Sequence, residues 1–326
     1  MNTFSRRLKC YVIAGTAGLF FCFASFDARA QCSVEAAADA SFGTPTSFAV
    51  RAAPQSGSTI NSGLTCNGTS VGAFLLGDQI NMLLLNGGRL RSNSTGDTIP
   101  YRIFADADAT IQVNPRSATN WAADSLRSIL SVFGGASRSP PLYFRTTAGA
   151  NVAAGTYTDT ISIIWNWRYC NRRTANGAAC RGFDQGFNQT STITLTLIVA
   201  NDCTIAAQDI SFGAAQDPAS FSPVTGGIGV TCTKGLTYTV GIGTGSFPAA
   251  NGRRQMASSG DGRLQYDIFD GGGARVWGQD TNGVSSVRAA DGLSAQQFPF
   301  RAAIYADQDT PPVGTYTDSV VIDVRY

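Results

Sequence analysis

The sequence predicts an all-β protein made of two tandem β-sandwiches, the second of which is one strand short. Three observations lead to this prediction: few helix-forming residues, short segments that alternate apolar and polar residues, and an internal repeat whose second copy stops early. The 326 residues include 36 Gly, and after residue 30 Lys234 is the only lysine and Glu35 the only glutamate. Because surface helices normally use many Lys and Glu side chains, their scarcity favours short strands joined by turns.

The first 30 residues have the pattern of a secretory signal peptide. Basic residues precede an apolar stretch, and Ala28-Arg29-Ala30 fits a small-x-small cleavage site. We therefore expect residues 1–30 to be removed, so that the exported chain begins at Gln31. Their removal takes away four basic residues and one acidic residue, which changes the net charge from +2 to −1. A chain with this charge gives no reason to expect nucleic-acid binding.

Five landmarks occur in the same order in both halves of the chain. In the first copy they are Cys32, Ser41–Gly43, Cys66, Tyr101–Phe104 and Gly155–Asp159, and in the second they are Cys203, Ser211–Gly213, Cys232, Tyr266–Phe269 and Gly314–Asp318. The repeat predicts two domains, over residues 31–199 and 203–326, joined by a very short linker. The tyrosine of the last landmark, Tyr157 or Tyr316, is interpreted as a tyrosine corner of a Greek-key sandwich rather than as a binding residue.

The two copies differ after the last landmark. The first copy continues through two strand-like segments, and the second of these alternates apolar and polar residues over Thr192–Val199. The second copy has room for only one such segment, so we expect it to leave an open groove. The inward-facing residues expected beside this groove are Val320, Ile322, Val324 and Tyr326.

The cysteines are expected to form disulfides, because the chain is exported. The chain has 8 cysteines, two of which belong to the leader. The second copy contains two cysteines, which should pair with each other, and the first copy should contain an analogous pair. The expected disulfides are Cys32 with Cys66, Cys170 with Cys180, and Cys203 with Cys232.

The composition argues against most catalytic chemistry. The chain contains no histidine, which excludes Ser-His-Asp and Cys-His catalysis and histidine metal sites. The cysteines lack the short CxxC spacing of a thiolate metal site, and no phosphate-binding glycine motif is present. Asp106 and Asp108 are two nearby carboxylates, but aspartates at a turn usually serve the turn itself. We expect no enzymatic activity, no metal and no cofactor.

An ordered set of motifs extends over the whole second copy. These motifs are Cys203-Thr204, Ser211-Phe212-Gly213, Val230-Thr231-Cys232, Tyr238-Thr239-Val240, Arg254-Gln255-Met256, Leu264-Gln265-Tyr266, Trp277-Gly278 and Gly314-Thr315-Tyr316-Thr317-Asp318. Together they resemble the spore coat protein U domain family. The first copy matches more weakly, because it keeps the cysteine pair, Tyr101 and Gly155–Asp159 but lacks counterparts of Arg254–Met256 and Trp277-Gly278.

This family is similar to the pilins of archaic, Csu-type chaperone–usher pili. The resemblance implies immunoglobulin-like sandwiches, the C-terminal one lacking its last strand. It also implies three protein partners: a periplasmic chaperone, an outer-membrane usher and an adjacent pilus subunit that donates the missing strand. The physical basis is β-augmentation, in which an incoming strand satisfies exposed backbone groups and fills an open core.

The position of such a subunit in a fibre follows from what it can donate. A mature chain that begins at Gln31, next to a disulfide at Cys32, is expected to have no free extension, whereas its first copy keeps its own last strand. The resemblance therefore implies a two-domain tip adhesin at the cell surface, which mediates attachment and biofilm formation on an abiotic or host surface. Two alternatives remain: a structural shaft or coat subunit, and a secreted sugar-binding β-sandwich.

The outer pole of the first domain is expected to carry three long loops, over residues 67–72, 105–141 and 169–190. Their apolar residues are candidates for contact with a surface: Trp121, Leu126, Ile129, Leu130, Val132, Phe133, Phe183 and Phe187. The competing interpretation is a small core beneath the loops, which includes a short amphipathic helix over residues 125–133.

Overall fold

The structure is a computed structural model that describes residues 31–67, 77–123, 126, 137–173 and 179–326. Nearly all its regular structure is β-strand, which confirms the predicted all-β class. The strands are β1 (Gln31–Val34), β2 (Ala40–Ser41), β3 (Ser56–Thr59), β4 (Leu64–Asn67), β5 (Gln79–Leu84), β6 (Arg89–Ser92), β7 (Thr98–Phe104), β8 (Gln112–Val113), β9 (Ala118–Asn120), β10 (Ser137–Arg138), β11 (Leu142–Thr146), β12 (Gly155–Arg173), β13 (Cys180–Val199), β14 (Cys203–Ala206), β15 (Val224–Cys232), β16 (Thr239–Ile242), β17 (Arg254–Ala257), β18 (Arg263–Asp270), β19 (Val284–Ser285), β20 (Gln296–Ile304) and β21 (Ile322–Arg325). The helical segments are α1 (Ser47–Ala52) and a 3-10 turn (Pro218–Ser220).

The N-terminal sandwich, residues 31–199, contains a small and a large sheet. The small sheet has the strand order β1-β4-β10, and the large sheet has the order β2-β13-β12-β6-β7-β11-β3. Strand β5 pairs with β12 and β9, and β8 pairs with β7. The segment 105–141, which the sequence suggested was one loop, therefore contributes β8, β9 and β10 to these sheets.

A long antiparallel hairpin dominates the large sheet. Strands β12 and β13 are 19 and 20 residues long and stay paired from Gly155 opposite Val199 to Arg173 opposite Cys180. The expected loop over residues 169–190 is thus mostly strand, and this prediction was wrong. The pairing continues because Trp167 packs against Gly186, where a Cβ atom would lie only 2.3 Å from the indole ring.

The C-terminal sandwich, residues 203–326, has two smaller sheets. One has the order β14-β15-β20-β18-β17, and the other has the order β19-β16-β21. In this sandwich the segment that corresponds to β12 runs from Gly314 to Val321. Within this segment only Thr317 forms a β-bridge, and its partner is Ala257. No described segment occupies the position that β13 takes in the first sandwich, as the early end of the repeat predicted.

Each sandwich has its own apolar core. In the N-terminal core Trp165 and Tyr157 are fully buried, and Trp167 is nearly so, which shows that both tryptophans serve packing. The C-terminal core is centred on Trp277, Tyr238 and Phe298. None of the helices in the described part of the chain is long and apolar enough to cross a membrane.

Polar contacts join the two sandwiches beside the linker. The hydroxyls of Ser47 and Thr233 lie 2.7 Å apart and are buried, and Lys234 Nζ lies 2.6 Å from Asp97 Oδ1. Asn151 also donates a hydrogen bond of 2.9 Å to the carbonyl of Asp291. These bonds restrain the relative orientation of the sandwiches more than the short linker would alone.

Candidate functional site

The candidate site is an open strand position in the C-terminal sandwich, and the N-terminal sandwich shows what fills the same position when it is complete. There β13 lies between β12, to which it is antiparallel, and β2, to which it is parallel. The side chains of Ile193, Leu195 and Leu197 are fully buried by this arrangement. Beyond β2, the amide of Phe42 donates to the carbonyl of Thr196, so both edges of β13 are used.

In the C-terminal sandwich the two flanking segments are present but no strand lies between them. One flank contains Ser211–Gly213, the repeat of Ser41–Gly43, and the other is Gly314–Val320. A cleft of about 520 Å³ separates them and continues into a second cleft along the same flanks. Its apolar floor and walls include Phe212, Ile228, Ile268, Phe300, Val320 and Ile322.

The flanks have the backbone geometry needed to receive a strand. Gly213 has a φ of +77°, and its counterpart Gly43, whose carbonyl accepts from Ile198 of β13, has a φ of +80°. In the described chain, the backbone groups of Tyr316, Asp318 and Val320 have no hydrogen-bond partner. Exposed strand edges of this kind are templates for pairing with another strand.

One tyrosine–aspartate hydrogen bond occurs at the same place in both sandwiches. Tyr101 donates to Asp159 Oδ2 over 2.7 Å, and Tyr266 donates to Asp318 Oδ2 over 2.7 Å. Burial, together with the neighbouring carboxylate, raises the pKa of both tyrosines, so these hydroxyls stay protonated donors. The bond therefore positions the strand that precedes the groove.

The tyrosine of the last landmark forms the expected corner in both copies. The hydroxyl of Tyr157 donates to the carbonyl of Ala153, and that of Tyr316 donates to the carbonyl of Pro312, four residues upstream in each case. These bonds confirm the structural interpretation of both tyrosines. Only their surroundings differ, since Tyr157 is buried and Tyr316 is half-exposed beside the cleft.

The four residues predicted to border the groove divide into two groups. Val320 and Ile322 line the cleft, whereas Val324 is half-buried against the core. Tyr326 does not belong to the groove, because β21 ends at Arg325 and the tyrosine is 64% exposed. The prediction for Tyr326 was therefore wrong.

Several groove residues were not predicted from the sequence. Ile210, Phe212 and Met256 line the cleft, and Phe212 packs edge-on against Tyr266 with ring centroids 6.0 Å apart. The repeated Ser-Phe-Gly motif was the signal that could have found Phe212. Because the motif lies next to the last strand in the complete sandwich, its second copy must border the vacant position.

The structure corrects two of the eight candidates for surface contact. Trp121 is fully buried and Leu126 is almost fully buried, because the chain after β9 folds into the N-terminal core. The amide of Trp121 donates to the carbonyl of Ile80, which holds this segment along β5. Four other candidates lie outside the described residues: Ile129, Leu130, Val132 and Phe133.

The remaining two candidates lie in a strand rather than in a loop. They belong to the paired part of the β12–β13 hairpin, which we call the hairpin stem. Phe183 and Phe187 are 44% and 58% exposed on the outer face of β13. The guanidinium of Arg168 lies 3.7 Å from the ring centroid of Phe183. On the opposite face Asp184 accepts hydrogen bonds from Trp167 Nε1 and from the Cys32 amide. The stem therefore presents aromatic and cationic groups outward and keeps its carboxylate inward.

The three predicted disulfides are all present. They join Cys32 to Cys66, Cys170 to Cys180, and Cys203 to Cys232. The first joins β1 to β4 within the N-terminal sandwich, and the third joins the corresponding strands β14 and β15 within the C-terminal sandwich. The second joins β12 to β13 near the end of their hairpin. Within the described residues there is no cluster of His, Cys, Asp and Glu that could hold a metal ion.

The tryptophans offer no exposed sugar-stacking surface in the described part of the chain. Trp277 is fully buried and donates from Nε1 to the carbonyl of Val240 over 2.8 Å. Trp121 is also fully buried. Neither of these tryptophans could therefore stack on a sugar ring, which weakens the sugar-binding alternative.

The chain belongs to the Spore Coat Protein U domain family, whose model matches residues 20–164 and 189–323. It is similar to the tip subunit in the crystal structure of the CsuC–CsuE chaperone–tip adhesion subunit pre-assembly complex from archaic chaperone–usher Csu pili of Acinetobacter baumannii. The two are 25% identical, with a TM-score of 0.63, over 90% of this chain and 100% of that chain.

A second solved structure, the CupB6 tip adhesin from Pseudomonas aeruginosa, aligns with 91% of this chain and 93% of that chain at 11% identity and a TM-score of 0.32. At this TM-score the two chains do not share a closely superimposable structure. Among curated proteins compared by sequence, none matches.

Proposed function

We propose that this chain is the tip subunit of a chaperone–usher pilus, in which the C-terminal sandwich accepts a strand and the N-terminal sandwich faces outward. The observation that carries the proposal is the contrast between the two strand positions: β13 fills one, and a cleft of about 520 Å³ lies in the other. Residues Gln31–Val34 pair with β4, so they serve the fold rather than a neighbouring subunit. Family membership and the similarity to a tip subunit support the same assignment.

The proposed partners act on the groove in sequence. A periplasmic chaperone fills it first, and an adjacent subunit, delivered at an outer-membrane usher, replaces the chaperone. Strand β13 provides a template for the donor, because its inward residues Ile193, Leu195 and Leu197 alternate with threonines. We therefore expect a donor with apolar residues at alternate positions, which runs antiparallel to Gly314–Val320.

Attachment to an abiotic or host surface, and thereby biofilm formation, is proposed to involve the N-terminal sandwich. Phe183 and Phe187 are the exposed candidates on the hairpin stem, and residues 129–133 remain candidates outside the described part. Exposed aromatic side chains on a rigid sheet offer apolar contact area at low entropic cost. The proposal includes no catalytic step, metal or cofactor.

The position in the fibre is tested by immunogold labelling of assembled pili with an antibody to the N-terminal sandwich. Label confined to fibre ends would support the tip assignment. Label along the shaft would overturn it and would favour the alternative of a structural shaft or coat subunit.

The attachment surface is tested with a double variant, Phe183→Ser with Phe187→Ser. We expect attachment to fall several-fold while the number of pili per cell is unchanged. A matched control is Val287→Ser, since Val287 is 92% exposed on the C-terminal sandwich. Equal attachment by the double variant and the control would exclude the two phenylalanines as contact residues.

A further inference from the structure

An unusual concentration of positive charge lies on one outer sheet face of the N-terminal sandwich. Strand β6 exposes Arg89 and Arg91, and the neighbouring strands β7 and β11 expose Arg102 and Arg145. We call these four arginines the basic face. The other outward positions of these strands and of β3 are Ser56, Ser58, Thr98, Pro100 and Tyr143, so none of them is acidic.

The register brings two of these charges directly opposite each other. Arg102 of β7 pairs with Arg145 of β11, and Arg89 pairs with Pro100, two residues from Arg102 on the same side of β7. Opposed residues on neighbouring antiparallel strands have Cβ atoms about 5 Å apart, and like charges in this arrangement are destabilising. Among the described residues, every ion pair is formed by Lys234 or by an arginine outside the basic face. No carboxylate of the described residues therefore offsets the repulsion between Arg102 and Arg145.

The corresponding positions of the C-terminal sandwich show that the fold does not require this charge. Tyr101 corresponds to Tyr266, so Arg102 and its partner Arg145 correspond to Asp267 and its partner Ala303. Asp267 is buried and forms an ion pair with Arg254 at 2.8 Å. A repeat with the same topology therefore avoids the like-charge pair that the N-terminal sandwich keeps.

We propose that the basic face binds an anionic polysaccharide, whose carboxylate or sulfate groups pair with the opposed guanidinium groups. Arginine matches the planar geometry of such anions with two parallel hydrogen bonds, and a bound anion between Arg102 and Arg145 would remove their mutual repulsion. Hydroxyls of Ser56, Ser58 and Thr98 lie on the same face and suit a polymer rich in hydroxyl groups.

The same face is poorly suited to single-stranded nucleic acid. Binding of single strands uses exposed aromatic rings on which bases stack. Three of the four aromatic residues of β7 and β11 are buried, namely Tyr101, Phe104 and Phe144. Tyr143 is only half-exposed. This inference goes beyond the proposed function, because it concerns a flank of the N-terminal sandwich apart from the groove and the hairpin stem.

The test is binding of the full exported chain to immobilised heparin and alginate, with neutral dextran and a short single-stranded DNA alongside. We expect heparin and alginate to bind, dextran not to bind, and binding to weaken as salt is added, because the contacts are between exposed charges. The variant Arg102→Gln with Arg145→Gln should bind about tenfold more weakly, since it removes charge-assisted hydrogen bonds. The control Arg275→Gln with Arg288→Gln makes the same charge change on exposed positions of the C-terminal sandwich and should retain binding.

A folding defect is separated from a binding defect by the single variant Arg145→Gln. It removes the like-charge pair, so its melting temperature should equal or exceed that of the parent chain while its binding falls. Equal loss in both double variants, equal binding to dextran, or tighter binding to the single-stranded DNA than to both polysaccharides would overturn the proposal. None of these outcomes would affect fibre labelling or strand acceptance, so the proposed function is tested independently of this proposal.

Discussion

The Gly-Thr-Tyr-Thr-Asp landmark occurs in two surroundings in this molecule. In the N-terminal sandwich Gly155–Asp159 lies within a sheet, with β13 on one side and β6 on the other. In the C-terminal sandwich Gly314–Asp318 keeps the same tyrosine corner and the same bond to a buried tyrosine, yet one of its edges faces a cleft. The local contacts of this segment therefore form without the neighbouring strand, and what the strand adds is burial.

The two cores should respond very differently to the same charge, and this is the largest effect that we expect. Leu195→Asp would place an unpaired carboxylate in the complete core and should cost at least about 4 kcal/mol of unfolding free energy. Val320→Asp would place it at the open cleft and should cost only about 1 kcal/mol, because water reaches the site. Thermal and urea unfolding of the full chain measure both values. Similar losses for the two variants would mean that the cleft is closed in solution.

The C-terminal sandwich has a buried internal ion pair that has no counterpart in the described part of the N-terminal one. Arg254 is buried, pairs with Asp267 and donates to the carbonyls of Ile242, Gly243 and Trp277. Arg254→Met would leave the buried Asp267 carboxylate without its cationic partner, although the hydroxyl of Tyr305 would still donate to it. It would also remove a donor from three carbonyls, and it should destabilise this sandwich by about 3–5 kcal/mol. The double variant Arg254→Met with Asp267→Asn serves as the control and should recover part of the loss in a denaturant titration. A loss below about 1 kcal/mol for Arg254→Met would contradict this account.

The tyrosine–aspartate hydrogen bond that both sandwiches share should contribute a smaller and unequal free energy in each. Tyr101→Phe should cost about 1–2 kcal/mol, since it removes a hydrogen bond to Asp159 beside the filled strand position. Tyr266→Phe should cost less, about 0.5–1 kcal/mol, because Asp318 also accepts from the amides of Ser246 and Ser319. Both values come from the same unfolding experiment, and a larger loss for Tyr266→Phe than for Tyr101→Phe would contradict the compensating role of the Ser246 and Ser319 amides.

The smallest expected effect concerns the contact between the sandwiches. Burial pushes the pKa of Asp97 upward, but hydrogen bonds from Lys234 and the Ala153 amide outweigh it and hold the pKa below the ordinary 3.8. A carboxyl with a lowered pKa stabilises the fold above its ordinary pKa, and this contribution is lost as the pH falls below 3.8 through the lower folded value. Lys234 is partly exposed, so the contribution is about 1 kcal/mol or less. Lys234→Met should weaken this pH dependence, since the Ala153 amide still donates to Asp97, and an unchanged acid profile would contradict the assignment.

The sequence predicted the parts of the fold that the repeat duplicates. The two sandwiches, the Cys32–Cys66 and Cys203–Cys232 disulfides and the tyrosine corners followed from landmarks present in both copies, because equal motifs in one topology occupy equal places. The Cys170–Cys180 disulfide was the pair that remained, and the missing strand followed from the point at which the copies differ. The groove residues Val320 and Ile322 followed from period-two alternation. Tyr326 did not, since alternation gives the direction of a side chain in a strand but not the residue at which the strand ends.

The outer pole has no counterpart in the second copy, and there the sequence was a poorer guide. Trp121 and Leu126 looked like loop residues because the short strands β8 and β9 lack clear alternation, yet both lie in the core. Phe183 and Phe187 were assigned to the loop over residues 169–190, but they lie on β13, where Gly186 makes room for the close approach of Trp167. The basic face was not predicted either, because only the register of β7 and β11 brings its arginines together.

The C-terminal sandwich has an unfilled strand position, whereas β13 fills the same position in the N-terminal sandwich. Amide hydrogen exchange of one chain compares both directly, before and after residues 190–200 are appended to its C-terminus through a flexible linker as a substitute for the donor strand. We predict that the amides of Tyr157 and Ile161 are protected in both forms, whereas those of Tyr316 and Val320 exchange rapidly and become protected only with the appended strand. An appended segment with its inward residues 193, 195, 197 and 199 changed to serine should give no protection. Protection of Tyr316 and Val320 in the unmodified chain, or no gain with the apolar segment, would contradict the account.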